Sequence, residues 1–174
     1  MTALRGRARV FGDDVNTDSI ISSTRKRASL DPTVLRHFLF EHVDPAFAAS
    51  VQPGDILVAG KNFGCGSAME VAVTTVLGAG IPAVLARSFS RTYYRNAINN
   101  GLLPLVCDTR GIREGDVLST DSATDPSAEP GAIVIVNART GERLRPEPLP
   151  PIMHAILSMG GLVPYMRQHG DFRL

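Results

Sequence analysis

Three short apolar segments, separated by two segments of helical character, constrain the fold of this chain more than any other feature. The apolar segments are residues 55–59, 83–86 and 103–107, and together they span about 50 residues. Short apolar runs bounded by turn residues are typical of buried strands. Residues 67–80 and 90–99 lie between them, and each predicted helix is followed by glycine or asparagine. This alternation predicts a parallel sheet whose strands are joined by right-handed helical crossovers.

The amino-terminal part of the chain predicts one further strand and one further helix. Residues 7–11 predict a short strand, and the polar residues 12–18 that follow predict a loop. Residues 22–28 are polar and basic without periodicity, so we expect an exposed loop there. Asp31 and Pro32 predict the start of a helix, because aspartate caps helices and proline suits the first helical position.

The pattern changes after residue 108 to one that is typical of antiparallel strands. The predicted elements are strands at 116–119 and 132–136, a polar connection at 121–130, a turn at 137–141, a returning strand at 142–145 and a final helix at 150–159. We therefore expect an α/β fold of three layers, β/β/α, in which helices cover a central parallel sheet and a smaller antiparallel sheet forms the third layer. The length of 174 residues suits one domain, residues 1–174.

Composition excludes several classes of partner and cofactor. The chain has 18 Lys and Arg against 17 Asp and Glu, which gives no reason to expect nucleic acid or an anionic membrane as partner. Cys65 and Cys107 are too few to hold a four-cysteine zinc site or an iron–sulfur cluster. No apolar stretch has the length of a signal peptide core or a membrane span, so a cytoplasmic protein is expected.

The glycine-rich segment 60–66, GKNFGCG, is the strongest candidate for a functional site. It joins a predicted strand to a predicted helix, where glycines permit close approach of the backbone to a ligand and the helix amino terminus favours a carboxylate or phosphate. Ser67 is predicted to cap this helix, with Glu70 completing a capping box. Two interpretations remain open from the spacing: the pair only caps the helix, or the loop binds an anion. The segment is neither a dinucleotide fingerprint nor a Walker A loop.

Four segments in order resemble isopropylmalate isomerase small subunits of the aconitase superfamily. Residues 60–72, GKNFGCGSAMEVA, resemble the family segment GxNFGCGSSREHA. The other three are DDVNTDSII at 13–21, GIPAVLA at 80–86 and SFSRTYYRNAINNG at 88–101, which resemble D-x-x-x-T-D-x-I-I, GI-x-AV-x-A and SFARIFYRNAIN-x-G. The resemblance covers most of residues 7–107, and on it the chain is identified as a member of this family.

The resemblance implies a fold, a reaction and a partner. It implies the swivelling domain that forms the fourth domain of aconitase, here a separate small subunit. It implies a hydro-lyase that dehydrates and rehydrates a 2-hydroxy di- or tricarboxylic acid such as 3-isopropylmalate. No cofactor is implied on this chain, since the family's [4Fe–4S] cluster is carried by a large partner subunit. Ser67 matches the family's catalytic base. The remaining positions implied at the substrate site are Thr17, Asp18, Gly66, Ala68 and Met69.

The chain departs from the family pattern next to the matching serine. Ala68 replaces a second serine, Met69 replaces an arginine that binds a substrate carboxylate, and Val71 and Val73 replace a histidine and a proline. A thioether cannot replace a bidentate guanidinium. We therefore expect a substrate with an apolar substituent or with one carboxylate fewer, or else a non-catalytic or regulatory homologue that keeps the fold. An unrelated phosphate-binding α/β domain is disfavoured by the four ordered segments.

Several charged residues have both a functional and a plainer interpretation. Arg25, Lys26 and Arg27 occupy the loop that selects substrate in the family, so Arg25 and Arg27 are candidate replacements for the missing arginine; a solvated loop is the alternative. Asp18 either orients the loop or caps a turn. Arg91 and Arg95 share a helix face and either reach the substrate or partner or are solvated. Lys61 either steers an anion or is a surface lysine.

Overall fold

The computed structural model describes residues 4–120 and 133–172. Its strands are β1 (Arg5–Val10), β2 (Ile56–Ala59), β3 (Ala83–Ala86), β4 (Leu103–Val106), β5 (Val117–Thr120), β6 (Ile135–Asn137) and β7 (Arg143–Leu144). Its helices are α1 (Thr17–Ile20), α2 (Ser23–Ala28), α3 (Pro32–Leu35) with a 3₁₀ turn at Arg36–Phe38, α4 (Phe47–Ser50), α5 (Val71–Gly78), α6 (Arg91–Asn100), α7 (Pro151–Ser158) and α8 (Leu162–His169). The predicted connection 121–130 and the first residue of the predicted strand 132–136 lie outside the described residues.

The predicted parallel and antiparallel sheets are both present, and they are continuous through β1. The strand order is β4-β3-β2-β1-β5-β6-β7. Strands β1 to β4 pair in parallel, whereas β5, β6 and β7 are antiparallel. Within β1, Arg5 to Arg7 pair with β5, and Ala8 to Val10 pair with β2. The change of partner along one strand joins the two sheets.

Side chains of the parallel strands alternate between two cores. In β2, Leu57 and Ala59 belong to the core on the helix side, which includes Val76 of α5. Ile56 and Val58 belong to a second core, which includes Leu118 of β5 and Ile135 of β6. Because successive strand residues face opposite sides of a sheet, the helices cover one face of the parallel sheet and the antiparallel strands cover the other. The predicted three-layer β/β/α fold is therefore confirmed.

Residues 22–28 form helix α2, so the prediction of a loop there was wrong. Ser22 caps the helix, its Oγ accepting from the N–H of Arg25 at 3.4 Å. No residue of α2 is buried. A short helix without an apolar face has no periodicity, and a sequence pattern cannot reveal it. Its tether is Arg25, whose guanidinium binds Glu41 and lies 3.7 Å from the centre of the Phe38 ring.

Helix α8 was not predicted. It follows Gly161, whose positive φ of 124° separates it from α7, and it buries Tyr165 against a core that also contains Ile98 of α6. Pro164 lies in its first turn, where proline is tolerated because the N–H groups there have no intrahelical acceptor. In the described part of the chain, no helix has both the length and the apolar character to cross a membrane.

A buried carboxylate secures the antiparallel layer. Asp116 precedes β5 and accepts hydrogen bonds from Arg139 Nε at 2.6 Å, Asn137 Nδ2 at 2.7 Å and the Arg113 N–H at 2.9 Å. The bond from Arg139 is the largest cause that holds the pKa of Asp116 below its usual 3.8. A depressed folded-state pKa stabilises the fold above about pH 4, and this stabilisation is lost as the pH falls further.

We expect Asp116→Asn to lower the free energy of unfolding at pH 7 by about 2 kcal/mol, because the substitution removes the charge that Arg139 binds. The difference from the unchanged protein should shrink at pH 3, where wild-type Asp116 begins to lose that benefit. Urea unfolding of the variant and of the unchanged protein at pH 7 and pH 3 measures the difference in the free energy of unfolding at each pH. Asp108→Asn is the control: its exposed pair with Arg110 should contribute nothing measurable. An equal loss at pH 7 and pH 3 would contradict an electrostatic role.

Candidate functional site at the carboxyl edge of the parallel sheet

The loop that contains Ser67, residues 60–70, leaves the carboxyl end of β2 and is fixed along both sides. On one side, the Thr17 N–H donates to the Cys65 carbonyl at 2.8 Å. On the other, the Ser90 N–H donates to the Phe63 carbonyl at 2.9 Å. Ligands of open α/β sheets bind at the carboxyl ends of the strands. The loop therefore lies where a functional site is expected.

Two glycines of this loop are required by the close approach of its neighbours. Gly64 has φ +75°, and a Cβ there would lie 2.2 Å from Tyr93 Cγ. Gly66 has φ +89°, and a Cβ there would lie 2.5 Å from Asn16 Oδ1. Any side chain at either position would displace a neighbour and strain the backbone. The glycines therefore fix the path by which the chain reaches Ser67.

Ser67 lies in the loop, not at the start of a helix, so the predicted capping box was wrong. Helix α5 begins at Val71, and Glu70 occupies the capping position without a side-chain hydrogen bond. The physical reason is a tertiary hydrogen bond: buried Thr17 donates its Oγ1 to the Ser67 carbonyl at 2.9 Å. A capping residue offers that carbonyl to the first intrahelical bond, which here would come from Val71. The Ser67 carbonyl accepts from Thr17 and from no described N–H group of α5.

The Ser67 side chain is exposed, and several backbone N–H groups of its loop have no hydrogen-bond acceptor among the described residues. Ser67 Oγ makes no hydrogen bond with any described residue. The backbone N–H groups of residues 67–71 donate no hydrogen bond to a described residue. These five consecutive donors, the last of which belongs to the first residue of α5, give the loop a positive potential. This arrangement favours a carboxylate or a developing oxyanion beside Ser67.

The residues that depart from the family pattern divide between surface and core. Ala68 is exposed beside Ser67. Met69 is only 4% exposed and packs in the helix-side core, together with Val71 and Val73. Met69 therefore fills the core, and its side chain lines no surface in this conformation. The Met69 thioether is buried, and the assignment of this residue to the substrate site stays a prediction.

Thr17 and Asp18 differ in their surroundings. Thr17 is 2% exposed and holds the Ser67 carbonyl, as described above. Asp18 is exposed, and its carboxylate makes no hydrogen bond with a described residue. Asn16 Oδ1, not Asp18, caps α1 by accepting from the Asp18 N–H at 2.9 Å. The prediction that Asp18 caps a turn was therefore wrong, and its carboxylate is available at the surface.

The cations of α2 are not equivalent. Arg25 binds both oxygens of Glu41 at 2.9 to 3.2 Å, and this interaction lowers the pKa of Glu41. Arg27 makes one long hydrogen bond, 3.4 Å to Thr24 Oγ1, and exposed Lys26 makes none from its side chain within the described residues. No hydrogen bond joins α2 to the loop 60–70 in the described part of the chain. Arg27 and Lys26 are therefore available to an anion, while Glu41 already neutralises Arg25.

Neither cysteine belongs to a metal-binding group. Both are free and partly buried, and burial, reinforced by Asp108, raises the pKa of Cys107 to about 12. Within residues 4–120 and 133–172, no three His, Cys, Asp or Glu side chains lie together in a way that could hold a metal ion.

Known proteins resemble this chain in both sequence and fold. A model of the aconitase C-terminal domain matches residues 20–110. The 3-isopropylmalate dehydratase small subunit of Oleidesulfovibrio alaskensis is 46% identical over 94% of this chain and 93% of its own. The methanogen homoaconitase small subunit of Methanocaldococcus jannaschii is 41% identical over 95% and 92%. The crystal structure of 3-isopropylmalate dehydratase (leuD) from the latter organism superposes with a TM-score of 0.87 at 38% identity, covering 97% of this chain and 96% of that one.

We expect Met69→Ala to lower the free energy of unfolding by about 2–4 kcal/mol, because it leaves a cavity in the helix-side core. Met69→Leu conserves volume and should cost less than about 1.5 kcal/mol. Denaturant unfolding of both variants measures the difference. Ala68→Gly, at the exposed neighbouring position, controls for changes in the loop backbone. If Met69→Ala were as stable as the unchanged protein, the side chain would not be a core residue and would be free to face a ligand.

Proposed function

The chain belongs to the aconitase C-terminal domain family, in the form of a 3-isopropylmalate dehydratase small subunit, and on this premise we propose that Ser67 is the catalytic base of a two-subunit hydro-lyase. The observation that carries the proposal is the exposed Ser67 hydroxyl, which has no hydrogen-bond partner in the described chain and lies in a loop whose N–H groups at residues 67–71 are unpaired. The partner would be a large aconitase-type subunit that carries a [4Fe–4S] cluster.

Dehydration of a 2-hydroxy acid removes a hydroxyl group from one carbon and a proton from its neighbour. The cluster on the partner would supply Lewis acidity toward the departing hydroxyl. Ser67 Oγ would take the proton and return it on rehydration, while the loop holds the substrate carboxylate. A serine acts as a base in its alkoxide form, which forms near neutral pH only when the negative charge is stabilised, and the N–H groups of residues 67–71 are the donors proposed for this. Thr17 would act as a positioning residue through the Ser67 carbonyl.

The proposed substrate is a 2-hydroxy di- or tricarboxylic acid such as 3-isopropylmalate or a related malate derivative. Ala68 presents a methyl group where the family has a hydroxyl, and Met69 offers no charge. A substrate with an apolar substituent or one carboxylate fewer fits this surface better. Arg27 and Lys26 on α2 are the proposed cationic contacts, since Arg25 is held by Glu41.

A second candidate function is a non-catalytic or regulatory homologue. The observation that favours it is Met69, because removal of the family's carboxylate-binding arginine removes an interaction that a planar guanidinium alone provides. The two candidates differ in one measurable property. A catalytic subunit, reconstituted with its large partner, turns over at least one malate derivative, whereas a regulatory homologue turns over none.

We expect Ser67→Ala to reduce kcat of the reconstituted enzyme by a factor on the order of 10²–10⁴, the contribution typical of a positioned base. The melting temperature should not change, since the hydroxyl is exposed and bonded to no described residue. Ser23→Ala, at an exposed serine of α2, is the matched control and should retain full activity. Co-expression with the large subunit, followed by assay on a series of malate derivatives, measures kcat of both variants. Undiminished turnover by Ser67→Ala would refute the role of base.

We expect Arg27→Ala to raise KM by roughly 10-fold or more without changing stability, because a charge-assisted contact to the substrate would be lost. Arg25→Ala should act differently, raising KM only by releasing α2 from Glu41 and Phe38. Glu41→Gln separates the loss of the Arg25 side chain from the loss of its ion pair, because it weakens the ion pair but leaves Arg25 in place. It should therefore raise KM by part of the increase seen in Arg25→Ala. Steady-state kinetics on all three variants makes the comparison. Unchanged KM and kcat in both Arg27→Ala and Lys26→Ala would exclude compensation by α2.

A further inference from the structure

A basic cleft lies beside the Ser67 loop, at the carboxyl ends of β3 and β4. It encloses about 610 Å³, and Arg87, Arg91, Arg95 and Glu147 supply its charges. A neighbouring hollow of about 460 Å³ shares Arg87 and Glu147 and adds Lys61. Cavities of this size suit small molecules, and the carboxyl edge is where open α/β sheets bind them.

Two of the three arginines that line the cleft have no partner among the described residues. Arg91 and Arg95 are one turn apart on α6, so their guanidinium groups share a face, and neither makes a hydrogen bond or ion pair with a described residue. Arg87 is paired with Asp13. Glu147 is the opposing charge within the cleft. Because Asp13 neutralises Arg87, the cleft presents two unpaired arginines, Arg91 and Arg95, against one glutamate.

The walls of the cleft suit an organic ligand. Phe89 and Tyr94 line it with aromatic rings that pack edge-on, 5.7 Å apart, and Val106 adds an aliphatic surface. The Tyr94 hydroxyl makes no hydrogen bond with a described residue, and burial with the charge of Glu147 raises its pKa, so it remains a donor at neutral pH. The cleft thus combines two free guanidinium groups and a hydroxyl donor with apolar walls.

We propose that this cleft is a second anion site, which binds a small organic acid carrying two or more carboxylates. Each guanidinium of Arg91 and Arg95 accommodates one carboxylate in bidentate geometry, and the rings of Phe89 and Tyr94 contact the carbon skeleton. The site is distinct from the Ser67 loop, but both lie at the carboxyl edge of the parallel sheet. The two are adjacent, because Ser90, which caps α6, donates a hydrogen bond from its Oγ to the Gly64 carbonyl at 2.6 Å. Because the cleft lies within this chain, the site does not depend on the large subunit or on turnover.

The test is calorimetric titration of the full chain alone with malate and citrate, and with acetate and inorganic phosphate for comparison. Malate or citrate should bind saturably, with a Kd on the order of 1 mM or tighter and weakened by added salt. Acetate, with one carboxylate, should bind much more weakly. Arg91→Gln and Arg95→Gln should each weaken binding by roughly 10-fold, the value of a charge-assisted contact. Glu147→Gln should strengthen it, since it removes the opposing charge.

Two control variants assign the binding to the cleft. Arg167→Gln removes an exposed arginine of α8 that does not line the cleft, and Ser67→Ala alters the catalytic loop. Both should leave Kd unchanged, and the melting temperatures of all variants should match. The proposal is overturned by any of three results: no saturable binding of a dicarboxylate, an affinity in both Arg91→Gln and Arg95→Gln equal to that of the unchanged protein, or loss of binding in Ser67→Ala. Binding of phosphate alone would likewise overturn it. Failure of the Ser67 assignment would appear only in turnover and leaves these titrations unaffected.

Discussion

The hydrogen bond from Thr17 Oγ1 to the Ser67 carbonyl fastens the candidate site to the amino-terminal segment of the chain. If the Ser67 carbonyl instead accepted the first intrahelical bond, the helix would begin three residues earlier, at Ala68. With the bond from Thr17, the chain from Gly66 to Met69 remains a loop, and its N–H groups have no intrahelical acceptors. One buried side chain, contributed from a segment 50 positions away, therefore exposes both the hydroxyl and the donors.

Met69 follows two residues after Ser67 and is a core residue. In this path the side chain of residue 69 points into the helix-side core, where Val71 and Val73 also pack. An arginine there would have to bury a charge without a partner, at a cost of several kcal/mol, or pull the loop out of position. The apolar residues at 69, 71 and 73 therefore pack together in the same core.

Much of this structure is predictable from sequence, and the errors share a cause. Short apolar runs and the glycine-rich segment predicted β2, β3, β4 and the location of the loop, because burial on both faces of a parallel strand leaves a strong local signal. The start of α5 and the helix at residues 22–28 were missed. The Ser67 carbonyl is bound by distant Thr17, and α2 has no apolar face and is tethered by Arg25 to Glu41. Local pattern carries no information about such partners.

Anion recognition on this chain is consequently distributed in an unusual way. A guanidinium beside the base would select its ligand by direction and spacing, whereas backbone N–H groups bind carboxylates with little discrimination between their substituents. The side chains able to discriminate lie farther away, on α2 and along the face of α6 that carries Arg91 and Arg95. On the proposed function, selectivity for a substrate depends on whether its second carboxylate can reach the cations of α2, while the cleft on α6 binds an anion separately. Changes in α2 would then alter specificity while the loop that holds the proposed base stays the same.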